Sequence, residues 1–141
     1  MKKRYALVLY SVMLALGTIF HGAWIAQAQA QSADHQMINL YPKGPRPQML
    51  TIKIGTPVVW QSHLAHSKAM VVTVAFHDGK SVAQATRAVK GINGFVLEGS
   101  HFVGRMEGNG GTVALTFTAP GAYIYTLGHG NGLTGTIVVR P

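Results

Sequence analysis

The sequence predicts an all-β domain: an antiparallel Greek-key β-sandwich carrying one short helical insertion. Three observations carry this reading. Residues 48–54 and 112–118 alternate apolar and polar side chains, and residues 70–76 form a run rich in valine; alternation with period two marks strands with one buried face. Glycine and proline break the chain at short intervals, as in sandwiches of short strands. Only residues 81–90 have a helical composition, with Ala83, Ala85 and Ala88 beside Gln84 and Arg87.

Taken in order, residues 1–30 read as a signal peptide. Lys2, Lys3 and Arg4 form a basic start, residues 5–20 an apolar run, and Ala28-Gln29-Ala30 a small-x-small cleavage site. Cleavage after Ala28 competes with cleavage after Ala30. Residues 31–141 then form one exported domain of about 111 residues, enough for a single core. The expected location is periplasmic or secreted, with no stable membrane anchor after cleavage. Losing the three basic residues takes the net charge from +8 to +5. The remaining Lys and Arg are scattered singly, so no nucleic-acid surface is expected. The chain has no cysteine, which excludes disulfides and any thiolate ligand.

Within the domain, residues 37–41 suit a first strand. Pro42, Gly44, Pro45 and Pro47 suit an irregular edge, because proline cannot donate to a ladder. Leu50, Ile52 and Ile54 share one side of the next strand. Val58-Val59-Trp60 follows a Gly55-Thr56-Pro57 turn, with the Trp60 ring expected in the core. His77 precedes an Asp78-Gly79 turn and reads as a partner of Asp78. The helical segment 81–90 is expected to be capped by Ser81. Residues 100–106 suit either strand or loop. In residues 112–118, Val113, Leu115 and Phe117 point inward. Tyr123, Tyr125 and Leu127 share one face of a late strand, and residues 136–139 form the closing one.

Residues 121–139 resemble the C-terminal signature of cupredoxins, the plastocyanin, azurin and amicyanin group. That signature runs Gly-x-Tyr-x-Tyr-x-Cys, then a loop with His and Met, then a strand ending in valines. Gly121, Tyr123, Tyr125, Gly135, Val138 and Val139 match it. The cysteine position falls on Leu127 and the axial methionine position on Leu133, and His129 follows Leu127 by two residues where the family usually has three. Val58-Val59-Trp60 ahead of a loop with His63 and His66 is also similar to the family. The resemblance implies that these two loops meet at one end of a sandwich.

A type 1 blue-copper site needs two histidines, a cysteine thiolate and a weak axial methionine, so composition alone excludes it here. Imidazole alone is still a good copper ligand. The candidate metal ligands are His129 with His66 or His63, and the cofactor they imply is copper. Met70 or Met106 is a further soft donor for Cu(I). His77 and His101 read as structural or exposed. The four acidic residues are unpaired and the serines lie in no nucleophile motif, so no enzyme is expected. Two functions follow. One is a copper-binding protein for copper handling or modified electron transfer, with a periplasmic redox or copper-handling partner. The other is a metal-free module acting through protein contacts. Burial of Leu127 where the family has its thiolate is the structural expectation common to both.

Overall fold

The computed structural model describes residues 34–64, 70–128 and 132–141. The described elements are β1 (Gln36–Tyr41), β2 (Gly44–Arg46), β3 (Met49–Lys53), β4 (Pro57–His63), β5 (Val71–Phe76), α1 (Gly79–Gln84), β6 (Thr86–Ala88), β7 (Phe95–Glu98), β8 (His101–Glu107), β9 (Asn109–Phe117), β10 (Gly121–Leu127) and β11 (Thr134–Arg140). They build two sheets, ordered β2-β1-β4-β9-β6 and β3-β11-β10-β5-β8-β7. This is the all-β sandwich with a small helical insertion that the alternation predicts.

Two pairings are not antiparallel: β1 with β4, and β3 with β11. Alternation decides which face of a strand is buried, and leaves its neighbour and direction open. Both parallel pairs join strands separated by long stretches of chain, as parallel pairing requires. The proline-rich segment holds β2, which folds back antiparallel onto β1. Residues 101–107 are strand, paired with β5 and β7.

The helix is shorter than its composition predicts and starts earlier. Asp78 occupies the N-cap position without a side-chain cap, and Ser81 lies inside the helix rather than capping it. Residues 86–88 leave the helical path and pair with β9. Thr86 is buried and donates its hydroxyl to the Val82 carbonyl at 2.7 Å. Pairing at the sheet edge outweighs the high helix propensity of Ala88. Gly79 joins α1 to β8: its N–H donates to the Ser100 carbonyl at 2.9 Å. A Cβ at Gly79 would lie 2.6 Å from the His101 backbone, so only glycine permits this approach.

The core forms where the inward parities meet. Val113, Leu115 and Phe117 are buried, as are Ile52, Tyr125 and Leu127. Ile54 is exposed, because β3 ends at Lys53. Trp60 is fully buried and meets Phe95, Tyr125 and Phe76 edge-on, with ring centroids 5.4, 5.7 and 6.1 Å away. Edge-to-face contacts suit the ring quadrupoles and add to the area buried. The Tyr123 hydroxyl donates to the Ala119 carbonyl at 2.9 Å and pins the turn into β10, in the manner of the tyrosine corner of sandwich folds.

Tyr125 pairs with Gly135 across β10 and β11, and its ring lies over that glycine. A Cβ there would collide with the phenol ring. Gly135→Ala should therefore lower stability by about 1–3 kcal/mol, the usual cost of overpacking, read as a lower urea midpoint.

The Tyr125 hydroxyl and the Trp60 indole nitrogen are buried and have no hydrogen-bond partner among the described residues. Burial pushes the Tyr125 phenol up to about 12; Trp60 acts on it in the opposite sense, although the two do not meet hydrogen-bond geometry. The folded value lies above that of an unfolded phenol, about 10. The neutral phenol's contribution is thus complete below pH ~10 and is lost as pH rises toward ~12. The difference corresponds to roughly 2–3 kcal/mol. Tyr125→Phe should flatten the fall in urea midpoint across that alkaline window. At pH 7 it should leave stability unchanged or raise it by about 1 kcal/mol, because an unpaired buried hydroxyl is removed.

Candidate metal site

At the end of β4 the ladder with β9 shifts register between Gln61 and His63. Ser62 turns inward, is buried, and donates to the Gly108 carbonyl at 2.7 Å. His63 therefore points to the outer face. Its Nε2 lies 3.0 Å from Asn39 Oδ1, and its ring stacks on Tyr41 with centroids 5.1 Å apart and planes 13° from parallel. Both partners belong to β1. The same Asn39 and Tyr41 help line a groove of about 450 Å³ with Pro42, Lys43 and Arg46. His66 and His129 lie outside the described residues, so of the three predicted ligands only His63 has a described position.

The β10–β11 connection is defined by its ends. The Leu127 N–H donates to the Leu133 carbonyl at 2.9 Å, and the Gly128 N–H donates to the Thr73 carbonyl at 2.9 Å. A Cβ at Gly128 would strike the Thr73 hydroxyl, so β10 passes against β5 only because residue 128 lacks a side chain. Leu127 is 5% exposed and belongs to the core, and Leu133 packs against it half-buried. Leu127 is buried as the resemblance predicts for the family's cysteine position, and with an apolar side chain there the chain does not fit type 1 copper. Met106 is buried in the core.

A second cluster was not predicted from the sequence. His77 does not pair with Asp78: its two ring nitrogens face His101 and Thr126. His77 Nδ1 lies 3.0 Å from His101 Nε2, and His77 Nε2 lies 3.2 Å from Thr126 Oγ1. His101 Nδ1 lies 3.2 Å from Ser100 Oγ. The two rings meet edge-on, with centroids 4.9 Å apart. The register explains this: Phe76 opposes Phe102, so the next pair outward is His77 with His101. Both phenylalanines are buried, which leaves the flanking histidines on the solvent face. The signal was present in the sequence as Phe76-His77 and His101-Phe102, a mirrored pair, and it becomes readable only with the register in hand. Glu98 opposes His101 on β7, but Arg105 engages both its carboxylate oxygens and holds it below the usual carboxylate range. Among the described residues, no three His, Asp or Glu side chains converge on one point.

No protein-family model and no curated protein matches the chain. Solved structures do. Amicyanin from Paracoccus versutus (Thiobacillus versutus) aligns at 22% identity over 77% of this chain and 83% of that one, with a TM-score of 0.53. An amicyanin variant in its Cu(I) form aligns at 24% identity over 79% of this chain and 88% of that one, also at 0.53. A reduced amicyanin variant gives 23%, 79%, 88% and 0.53. Likeness at this identity speaks to the fold, and it agrees with the order and pairing of the strands: the chain has a cupredoxin-like fold, divergent in carrying no cysteine.

Proposed function

We propose that this chain is an exported cupredoxin-like protein that binds copper through histidines, with His129 the indispensable ligand and His66 its partner. The observation that supports the reading is the short connection closed by the Leu127 N–H on the Leu133 carbonyl, whose sequence contains His129. His63 is the weaker candidate, because its Nε2 faces Asn39 and its ring stacks on Tyr41. The amicyanins with which it shares a fold include Cu(I) forms, which supports copper as the metal class. On this reading the protein is a carrier or copper-handling protein rather than an enzyme, and it meets a redox or copper-handling partner in the periplasm or outside the cell. Among the described residues no helix is long and apolar enough to cross a membrane.

A second reading has its own support. Leu127 and Leu133 occupy both sulfur positions of the resemblance, and His63 is engaged by β1. A metal-free module acting through protein contacts accounts for those features without copper.

Copper titration separates the two. Cu(II) calorimetry should show one binding event that is lost in His129→Ala, strongly weakened in His66→Ala and little changed in His63→Ala. The loaded protein should lack an intense blue band, since no thiolate is present to give the charge transfer. Unchanged Cu(II) affinity in all three variants would favour the metal-free module.

Residues 1–30 are proposed to be removed on export. Intact mass of the exported product should match a chain starting at Gln29 or Gln31. A product retaining Met1 would overturn the export reading.

A further inference from the structure

We propose that His77 and His101 form a second metal site, a two-imidazole chelate on the outer face of the sheet that takes an imidazole-preferring divalent cation, Cu(II) foremost. It shares no residue with the proposed His66–His129 site and does not depend on it.

The geometry is that of two ligands on one ion. With metal–nitrogen bonds of ~2.0–2.1 Å, nitrogens 3.0 Å apart subtend roughly 95° at the metal. Tetrahedral ligands would stand at ~3.3 Å, so the spacing suits adjacent corners of a tetragonal Cu(II) site. Two imidazoles bound at that angle would have centroids roughly 4.7 Å apart, against the 4.9 Å found here.

The outer partners favour the tautomers that binding requires. A chelate needs lone pairs on His77 Nδ1 and His101 Nε2, which puts the ring protons on His77 Nε2 and His101 Nδ1. Those nitrogens face Thr126 Oγ1 and Ser100 Oγ, hydroxyl oxygens able to accept them. Hydrogen bonds of this kind orient and tune metal-bound histidines. In the metal-free protein one inner nitrogen donates its N–H to the other; when the ion binds, that ring takes its other tautomer, its proton passing to the outer nitrogen, and the neutral pair releases no net proton.

The backbone holds the pair ready. His77 follows β5 directly and His101 opens β8, which pair in register as far as Phe76 and Phe102. The Gly79 N–H bonded to the Ser100 carbonyl ties the chain beyond His77 back to the residue before His101. With Glu98 held by Arg105, the protein donors are two neutral imidazoles. Water completes the coordination, so the site is open and its ion exchangeable. Gly128, beside Thr73, is four residues along β5 from His77, roughly 13 Å at the rise of a strand. The pair is therefore distinct from the β10–β11 connection.

The test uses the protein with His63, His66 and His129 all changed to alanine, titrated with Cu(II) alone. The expected result is one bound Cu(II) whose electron paramagnetic resonance spectrum carries coupling to two imidazole nitrogens. Adding His77→Ala or His101→Ala removes that binding, and adding Thr126→Val weakens it about tenfold, the usual cost of losing such an outer partner. In the same triple variant, sub-stoichiometric Cu(II) should broaden the imidazole NMR signals of His77 and His101, a readout that needs no substitution at the pair. The proposal is overturned if the triple variant binds no Cu(II), if its binding survives His77→Ala, or if those two signals stay sharp. Failure of the His129 site alone leaves all these readouts unchanged.

Discussion

The packing of Trp60 sets what appears on the surface. Its ring enters from β4 and meets Phe76, Phe95 and Tyr125, all from the other sheet. Once those rings point inward, the neighbours of each have no choice of face. Phe76 inward puts His77 outward, and Phe102 inward puts His101 outward. Tyr125 and Leu127 inward leave Thr126 on the outer side, within reach of His77. A slip of one residue in any of these strands would exchange core and surface. The imidazole pair is thus a consequence of the aromatic core, fixed by the same register.

Leucine at 127 changes more than one ligand. A thiolate at the core's edge is a charged group that needs a metal or donors to offset its burial. Leu127 needs neither, and it extends the apolar cluster up to the β10–β11 connection. Leu133 covers the same edge from β11's side. A metal at this end of the fold cannot sit among the strand side chains, where the thiolate would have held it. On the proposed reading, copper at this end would rely on histidines of the connections rather than on strand side chains.

Side-chain parity was legible in the sequence, and strand partnership was not. Val113, Leu115, Phe117 and Leu127 are buried as their alternation predicts, because burial on one face imposes a period of two wherever a strand packs on a core. The parallel partners of β1 and β3 left no such trace, since pairing direction is decided by contacts between distant segments. Ser81 illustrates a local signal overruled: it has the composition of a cap, yet the cap position falls three residues sooner, at Asp78, where Gly79 docks on Ser100. Adjacency alone points His77 to Asp78. Its true partners are 24 and 49 residues away, a distance that only the β5–β8 and β5–β10 registers bridge. The roles proposed for His66 and His129 rest on the resemblance and on the ends of the connection at 127 and 133.

The charge of the protein bears on which ions either histidine site could hold. The chain is basic, +8 in full, with four acidic residues. One of these, Glu98, is paired with Arg105 beside the imidazoles. A basic surface repels cations at long range, so no electrostatic attraction gathers metal here. Calcium and magnesium, which bind through clustered oxygen donors and carboxylate charge, gain nothing from neutral imidazoles and lose to that repulsion. An ion that binds must recover its hydration free energy through direct bonds to nitrogen, and among first-row divalent ions those bonds are strongest for copper. On the proposed reading, selectivity would therefore come from donor chemistry and the fixed spacing of the rings, set against an unfavourable field.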